Sequence, residues 1–428
     1  MSNMKQREPP EPPCDVDRIS NLPEHIVDKI LSHLSLRDAV RTSVLSTKWR
    51  YKWATLPYLV FDNQTVLVPC QDQTLAKNKL VSIVDHVLLL HMSPIHRFKL
   101  SHRDLQGVSD IDRWILFLSR GSLKEFILEI WKGHRYKLPS CVYLFQSLNH
   151  LELFNCLLKP PSNFKGFKNL KSLDLQHITM DQTSFEHMIS SCPLLERLTL
   201  MNFEGFAILN IRCPNLLFFD VGGVFEDVIF QDTFHLAVVS IGLYVNTGNE
   251  RITAFGCTGN MINFFACLPH IQRLEVQSYF LKYLAAGSIP GKLPKPCNDL
   301  SFLSLRINCN DTDENLAALC LLRSAPNLQE LELLQARTDE QASTTRTAAN
   351  TVENFHSITF SQLRLIKIVG ITGMRQELSF IEFLLASTPI LERMSIRPAS
   401  ADGRWELVKD LLRFRRASMF AEIIYLDP

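Results

Sequence analysis

The chain has 428 residues, of which 46% are hydrophobic and 21% are charged, as is usual for globular proteins. Its 45 Lys and Arg side chains nearly balance its 44 Asp and Glu side chains, which leaves a formal net charge of +1. Because nucleic acids are held chiefly by clustered basic side chains, this balance disfavours generic DNA or RNA binding.

Residues 1–16 are polar and proline-rich, and they lack the basic and apolar regions of a signal peptide. We expect a disordered tail there, and an intracellular protein located in the nucleus, the cytoplasm or both. The most apolar stretch, Val81 to Leu90, is interrupted by Asp85 and His86 and is too short to cross a bilayer. No membrane partner is expected.

The first helix of a small N-terminal module is predicted from Pro23 to about Leu34. Proline suits the opening turn of a helix, and the carboxylate of Glu24 complements the positive helix end. Four side chains form one apolar stripe along this helix: Ile26, Ile30, Leu31 and Leu34.

Two further helices are predicted before residue 62. Ser35 can cap the second helix, with Asp38 three residues later completing a capping-box-like pair. Ser46 can cap the third helix, which would place Trp49 and Trp53 on one face. The three helices together predict a separate module at residues 17–62.

The apolar and polar order of this module resembles a plant-type F-box. The resemblance is carried by Leu22-Pro23-Glu24-His25-Ile26-Val27, Ile30-Leu31-Ser32-His33-Leu34 and Val44-Leu45-Ser46-Thr47-Lys48-Trp49-Arg50. It implies binding to a Skp-type adaptor protein and, through it, to a cullin. The implied adaptor contacts are Leu22, Pro23, Ile30, Leu34, Val44, Leu45 and Trp49. The alternative for some of them, especially Ile30 and Val44, is that they fill the interior of the module.

A repeated L-x-x-L-x-L pattern follows, with apolar residues at positions 1, 4 and 6. Its twelve copies start at Ile95, Leu123, Leu148, Leu170, Leu195, Leu216, Leu236, Ile271, Leu300, Leu328, Leu363 and Leu391. Most intervals between them are close to the leucine-rich-repeat period of roughly 20 to 29 residues. The pattern predicts an α/β fold, an irregular leucine-rich-repeat solenoid with a parallel sheet on its concave face and helices or loops on its convex face.

The segments between these strands carry both helix and loop signals. Short helices are predicted at Phe185–Ser190, Leu316–Arg323 and Ser379–Leu385, each followed by a proline. Three stretches break the period and are predicted as loops: Asn246–Asn260, Ser288–Asn298 and Gln335–Ser357. We expect the last of these loops to be disordered.

The C-terminal part, residues 355–428, resembles the FBD segment of plant F-box/leucine-rich-repeat proteins. The resemblance is carried by Leu363-Arg364-Leu365-Ile366-Lys367-Ile368-Val369-Gly370, Glu377-Leu378-Ser379-Phe380-Ile381-Glu382-Phe383-Leu384-Leu385 and Pro389-Ile390-Leu391-Glu392-Arg393-Met394. A last helix is predicted at Trp405–Phe414 and a last strand at Phe420–Tyr425. The predicted parts are therefore the tail at 1–16, the F-box at 17–62, the repeats at 63–354 and an FBD-like cap at 355–428.

Motifs that would indicate catalysis or a cofactor are missing from the sequence. The eleven cysteines form no C-x-x-C pair and are interpreted as small buried side chains. His86, His91 and His96 recur every five residues, a spacing that does not place them on one helix face as zinc ligands. We expect neither a cofactor nor a metal, and a protein that is not an enzyme.

The predicted concave face carries positions 3, 5 and 7 of each repeat, because side chains alternate along a strand. Eight basic and eight acidic residues occupy these positions, together with exposed aromatic residues, which favours a protein partner over a polyanion. The candidate target-facing residues are Glu152, Phe154, Asp174, Arg197, Met201, Phe218, Asp220, Arg273 and Glu275.

The resemblance to F-box/FBD/leucine-rich-repeat proteins implies the substrate-recognition subunit of an SCF-type cullin-RING E3 ubiquitin ligase, with an unknown target protein. Two alternatives are a leucine-rich-repeat scaffold and a ligand receptor, each acting outside a ubiquitin ligase. A hormone or metabolite receptor would need a basic pocket beneath the concave face. The basic pairs Arg97 with Lys99 and Arg393 with Arg397 lie at opposite ends of the repeats, which argues against one.

Overall fold

The computed structural model describes residues 19, 22–65, 73–107, 109–244, 260–286, 289–335, 359–400 and 404–428. The predicted disordered tail lies outside these residues, as do all of the predicted loop Asn246–Asn260 except Asn260 and all of Gln335–Ser357 except Gln335. The chain divides into two compact units, residues 1–134 and residues 135–428.

The first unit begins with the two α-helices that the sequence predicts. Helix α1 spans Glu24–Ser32 and helix α2 spans Leu36–Arg41. The hydroxyl of Ser35 accepts the backbone N–H of Asp38 at 3.1 Å and donates to the Asp38 carboxylate at 2.8 Å. This pair satisfies an N–H group that the helix itself leaves unpaired, so the predicted cap is confirmed.

The third predicted helix is not a continuous α-helix. After Ser46 the chain forms turns and then a short 3₁₀-helix, Lys52–Thr55; another 3₁₀-helix, Thr42–Val44, follows α2 directly. Hydrogen bonds that span three residues replace the α-helical pattern in this segment, such as Trp49 N–H to Ser46 O at 3.1 Å. Just before it, at the end of α2, Thr42 Oγ1 donates to the carbonyl of Ala39 at 2.7 Å.

Three parallel strands and two longer helices complete the first unit. They are β1 (Tyr58–Phe61), α3 (Gln73–Leu90), β2 (Arg97–Gln106), α4 (Ser109–Leu118) and β3 (Glu125–Lys132). Strand β1 was not predicted, although Leu59 and Phe61 alternate with exposed or half-exposed residues and are fully buried. It falls within the predicted F-box range and pairs with β2, so the helical module shares one compact unit with the first repeats.

The second unit contains a parallel sheet of eleven strands in its described part. These are β5 (His150–Phe154), β7 (Ser172–Gln176), β8 (Arg197–Met201), β10 (Phe218–Gly223), β12 (Val238–Leu243), β13 (Arg273–Ser278), β14 (Phe302–Ile307), β15 (Glu330–Gln335), β16 (Leu365–Ile371), β17 (Arg393–Pro398) and β18 (Glu422–Tyr425), in that spatial order. Two small sheets accompany it, formed by β4 (Tyr136–Lys137) with β6 (Cys156–Leu157) and by β9 (Ile208–Arg212) with β11 (Asp227–Gln231). Matching positions of successive repeats are aligned, as Leu173 is with Leu198.

Helices link several of these strands. They are α5 (Gln182–Ser190), α6 (Asn260–Ala266), α7 (Phe280–Ala285), α8 (Thr312–Ser324), α9 (Arg375–Ser387) and α10 (Arg404–Arg413). The short helices predicted before the proline residues lie within α5, α8 and α9, and the predicted last helix and last strand correspond to α10 and β18. No helix in the described ranges is long and apolar enough to span a membrane.

The core of the repeats is formed by positions 1, 4 and 6 of the predicted pattern. Every one of these side chains is buried; Ile95 is the most exposed at 7%, and Leu170, Leu198 and Leu200 are completely covered. Aromatic rings extend this core between strands and return segments, as in the stacked pair Phe185 and Phe206 at 4.3 Å. The α/β leucine-rich-repeat architecture predicted from the sequence is confirmed.

Candidate functional site

The helical module presents an apolar surface to solvent along helix α1. Two of its aliphatic side chains, Val27 and Leu31, are buried at 5% and 0% exposure. Ile30 is 40% exposed, and Leu34, just after the end of the helix, is 39% exposed. The predicted apolar stripe is therefore split between a core face and an open face, and its two predicted adaptor contacts lie on the open one.

The turn after helix α2 extends the same kind of surface. Val44 is 86% exposed and Leu45 is 57% exposed, which is unusual for aliphatic side chains in so small a module. Pro23 is also exposed and Leu22 is half-buried. Six of the seven predicted adaptor contacts thus have side-chain surface available to a partner.

Trp49 is the seventh predicted adaptor contact and is placed differently. Its indole is only 3% exposed, and the ring N–H donates to the backbone carbonyl of Ile19 at 3.4 Å. Nearby, the Lys52 ammonium pairs with the Glu24 carboxylate at 2.6 Å. A partner docking here would touch the neighbours of Trp49 rather than its ring, so the indole supports the surface from beneath.

The second candidate surface is the open face of the sheet in the second unit, formed by positions 3, 5 and 7 of its repeats. The candidate target-facing residues are half-buried or exposed on this face, whereas positions 4 and 6 between them are buried. Strand register aligns position 5 of successive strands in one row: Glu152, Asp174, Thr199, Asp220, Ser240, Glu275, Ser304 and Glu332. Carboxylates and hydroxyls dominate this row.

Two arginines of the neighbouring position 3 row lie over aromatic rings. The guanidinium carbon of Arg197 is 4.0 Å from the ring centre of Phe218, and that of Arg273 is 3.5 Å from the ring centre of Phe302. Arg273 also forms an ion pair with Glu275 at 2.8 Å. The cation–π contacts fix both arginines beside the carboxylate row.

Asp174 and Asp220 differ from the other carboxylates of the row. In the described part of the chain neither has a basic nitrogen within ion-pair distance; Gln176 donates to Asp174 at 3.0 Å, and Ser240 is hydrogen-bonded to Asp220. Burial raises the pKa of both carboxyl groups, and the hydrogen bonds oppose that shift. Both groups therefore have unused capacity to pair with a cation.

Apolar and aromatic side chains lie beside these carboxylates. Phe154 packs edge-on against His177 with 4.9 Å between ring centres. A Cβ atom at Gly222 would lie 2.6 Å from the Tyr244 hydroxyl oxygen and 2.8 Å from the Met201 sulfur, so the ends of both side chains lie in the space that the missing Cβ leaves over the sheet. Gly222 and Tyr244 were not among the predicted site residues; the Gly-Gly pair that ends β10 was the signal available.

Most of the described cysteines are buried, and one of the evenly spaced histidines is hydrogen-bonded. No group of three or more potential metal ligands is found among the described residues, and six of their eight cysteines are buried. Burial raises the pKa of the Cys156 thiol to about 12, which disfavours the reactive thiolate. His91, one of the evenly spaced histidines, is hydrogen-bonded through Nε2 to the backbone carbonyl of Leu56 at 2.8 Å.

Comparison with known proteins identifies both parts of the chain. The sequence model of the F-box domain matches residues 19–61, and the model described as FBD-associated F-box protein At5g56370, LRR repeats, matches residues 111–333. The chain is 38% identical to the F-box/FBD/LRR-repeat protein At1g13570 of Arabidopsis thaliana, over 96% of this chain and 99% of that protein. It is 25% identical to the putative F-box/FBD/LRR-repeat protein At2g05300 of the same plant, over 96% and 97% of the two chains.

Proposed function

The chain belongs to the F-box/FBD/LRR-repeat family, and from this premise we propose that it is the substrate-recognition subunit of an SCF-type cullin-RING E3 ubiquitin ligase. Its F-box would bind a Skp-type adaptor and, through it, a cullin. The open face of the repeats would hold a target protein. Membership of the family supports this role in general, and the module surface supports it for this chain.

The observation that carries the proposal is the outward apolar surface of the F-box. Four aliphatic side chains within sixteen positions are exposed by 39% to 86%: Ile30, Leu34, Val44 and Leu45. When a partner removes aliphatic groups from water, the free energy falls by about 25 cal/mol for each Å² of apolar surface that is buried. Four exposed aliphatic side chains in one small module favour a protein partner, because exposed apolar surface is typical of protein interaction sites.

The chain would promote ubiquitination by proximity rather than by chemistry. Binding the adaptor and the target at once raises the effective concentration of target lysines near the ubiquitin-charged enzyme. No residue of this chain has to touch the reacting atoms. The target-facing residues that this role requires are proposed to be Glu152, Phe154, Asp174, Arg197, Met201, Phe218, Asp220, Arg273 and Glu275.

The test uses the full chain, because strand β1 ties the F-box to the first repeats. Calorimetry should show that Ile30→Asp combined with Val44→Asp weakens adaptor binding at least tenfold, which corresponds to about 1.4 kcal/mol. Both side chains are exposed, so the melting temperature should change little. Leu89→Asp is the matched control, since Leu89 is 81% exposed on helix α3, outside the F-box.

A second measurement connects adaptor binding to the ligase. The wild-type chain and the Leu89→Asp control should co-purify a cullin in the presence of the adaptor, and the double variant should not. If the wild-type chain fails to bind a Skp-type adaptor, the ligase role is excluded and the scaffold or receptor alternative takes its place.

A further inference from the structure

One end of the open face, from β5 to β12, has an acidic excess. Its fifteen position 3, 5 and 7 residues include three carboxylates, Glu152, Asp174 and Asp220, against one arginine, Arg197, and one histidine, His150. We call this part of the face the acidic patch. The composition of the patch differs from the near-neutral balance of the whole chain.

The basic residues within the acidic patch, Arg197 and His150, act on its two central carboxylates only from beyond ion-pair distance. Arg197 lies over the ring of Phe218, and His150 is 3.6 Å from Glu152. In the described residues, Asp174 and Asp220 therefore make hydrogen bonds to neutral groups and no ion pair. A partly desolvated carboxylate without a counter-charge attracts a cation more strongly than a fully solvated one does.

The spacing of these two carboxylates sets the geometry of a partner. Strand β8 lies between β7 and β10, so Asp174 and Asp220 are two strand spacings apart, about 10 Å. In a polyproline II segment, residues i and i+3 lie on the same side and are about 9 Å apart. Such a segment crossing the strands could offer one basic side chain to each carboxylate.

Apolar surface accompanies the charges and favours a peptide over a small cation. Met201, Phe218 and Tyr244 lie beside the carboxylate row, and Tyr244 is 38% exposed. Interfaces commonly combine such anchors with complementary charge.

We propose that the acidic patch binds an extended segment of the target protein that carries two Lys or Arg residues three positions apart. This inference rests on the proposed function, because it names the class of target that the ligase subunit would recruit. The charge of the face decides the occupant: an acidic or purely apolar segment would leave Asp174 and Asp220 without a counter-charge.

In the test, a phage-displayed library of random dodecapeptides is selected separately for binding to each of three full-length chains. These are the wild type, the double variant Asp174→Asn with Asp220→Asn, and the control Glu330→Gln. Glu330 is an exposed carboxylate on the same sheet face, four strands from Asp220. Asparagine and glutamine keep the side-chain size and hydrogen bonding while removing the charge.

The wild type and the control should enrich peptides with Lys or Arg at positions i and i+3, and the double variant should not. A fluorescein-labelled peptide selected on the wild type should bind the double variant at least tenfold more weakly in fluorescence anisotropy. The proposal would be overturned if the peptides selected on the wild type lacked basic residues. It would also be overturned if the labelled peptide bound the wild type and the double variant with equal affinity.

Calorimetry with the Skp-type adaptor separates this inference from the proposed function. Equal adaptor affinity and equal melting temperatures for the three chains show that the substitutions leave both compact units folded. If the adaptor binds but basic peptides are not selected, the inference is wrong and the ligase role stands. If basic peptides are selected but no adaptor binds, the ligase role is wrong and the acidic patch remains a binding site.

Discussion

The F-box and the repeats use the same aliphatic side chains in opposite ways. In the repeats, Leu173 and its equivalents at position 4 expose no more than a few per cent of their surface to solvent. In the F-box, Val44 is 86% exposed and Ile30 is 40% exposed, although both belong to a strongly apolar motif. An apolar pattern alone therefore does not determine whether a side chain is buried.

The difference arises from how each region finds packing partners. Each repeat is covered by the next one, so the period itself places positions 1, 4 and 6 in a shared core. The F-box is too small to enclose all of its aliphatic residues, and Val27, Leu31 and the two tryptophans already fill its interior. The apolar residues that remain outside are those available to another protein.

The largest effect should come from truncating a repeat core residue. Leu173→Ala removes a side chain that is 1% exposed and should lower the free energy of unfolding by about 2 to 5 kcal/mol. Urea unfolding followed by circular dichroism would measure this loss. Adaptor binding should be lost only under conditions where the variant unfolds.

Val44→Ala is the matched truncation in the F-box. Because Val44 is 86% exposed, its removal should change the free energy of unfolding by at most about 0.5 kcal/mol. A loss for Val44→Ala as large as that for Leu173→Ala would break the comparison, because it would place Val44 in the interior of the module.

The next largest effect concerns a carboxyl group inside the repeats. Glu314 is 8% exposed at the start of helix α8, and burial raises its pKa from the usual 4.5 to about 7. A carboxyl whose pKa is raised in the folded state binds its proton more tightly there. Protonation of Glu314 therefore stabilises the folded state below pH 4.5. This stabilisation, about 3 kcal/mol, is lost as the pH rises from 4.5 to about 7.

Glu314→Gln tests this contribution, because glutamine does not titrate. The urea midpoints of variant and wild type should be similar at pH 4.5, and the variant should be the more stable chain at pH 8. A difference that stays constant with pH would contradict the prediction.

Glu377→Gln is the contrasting variant. The Glu377 carboxylate accepts three backbone N–H groups at 2.8 to 3.1 Å, so weakening these hydrogen bonds should destabilise the fold.

Strict patterns in the sequence predicted most of the fold. The period of the repeats placed all twelve predicted strands, since positions such as Leu173, Leu198 and Phe219 must alternate with exposed residues to share one core. Capping chemistry at Ser35 predicted the start of helix α2. Strand β1 was missed because it lies in the range interpreted as a helical module, although Leu56, Leu59 and Phe61 follow the repeat pattern. The third F-box helix was mispredicted, because its capping and apolar signals do not distinguish an α-helix from the turns and 3₁₀-helix that form there.

The candidate site was less predictable than the fold. Alternation showed that Asp174 and Asp220 share the open face, but not that they lack an ion pair in the described structure while Glu275 has one. Position in a motif suggested Trp49 as a contact, yet the burial of its indole depends on the whole module. The Tyr244 hydroxyl lies over Gly222, a residue of another repeat, and this contact between repeats is not visible in the sequence pattern.

The smallest effect should come from a contact on the open face, where side chains are held less firmly than in the core. The guanidinium of Arg197 lies 4.0 Å from the ring centre of Phe218, a cation–π contact expected to contribute about 0.5 to 1 kcal/mol. A double-mutant cycle with Arg197→Gln and Phe218→Leu, followed by urea unfolding, isolates that coupling from other losses. The pair Arg273 and Phe302, at 3.5 Å, gives an independent repeat of the measurement. A coupling near zero in both cycles would mean that the two arginines are not held over the aromatic rings. Arg197 could then move from the Phe218 ring to Asp220 and neutralise that carboxylate. A coupling above about 2 kcal/mol would show the open face to be as firmly packed as the core, which would remove the contrast between buried and available side chains within the repeats.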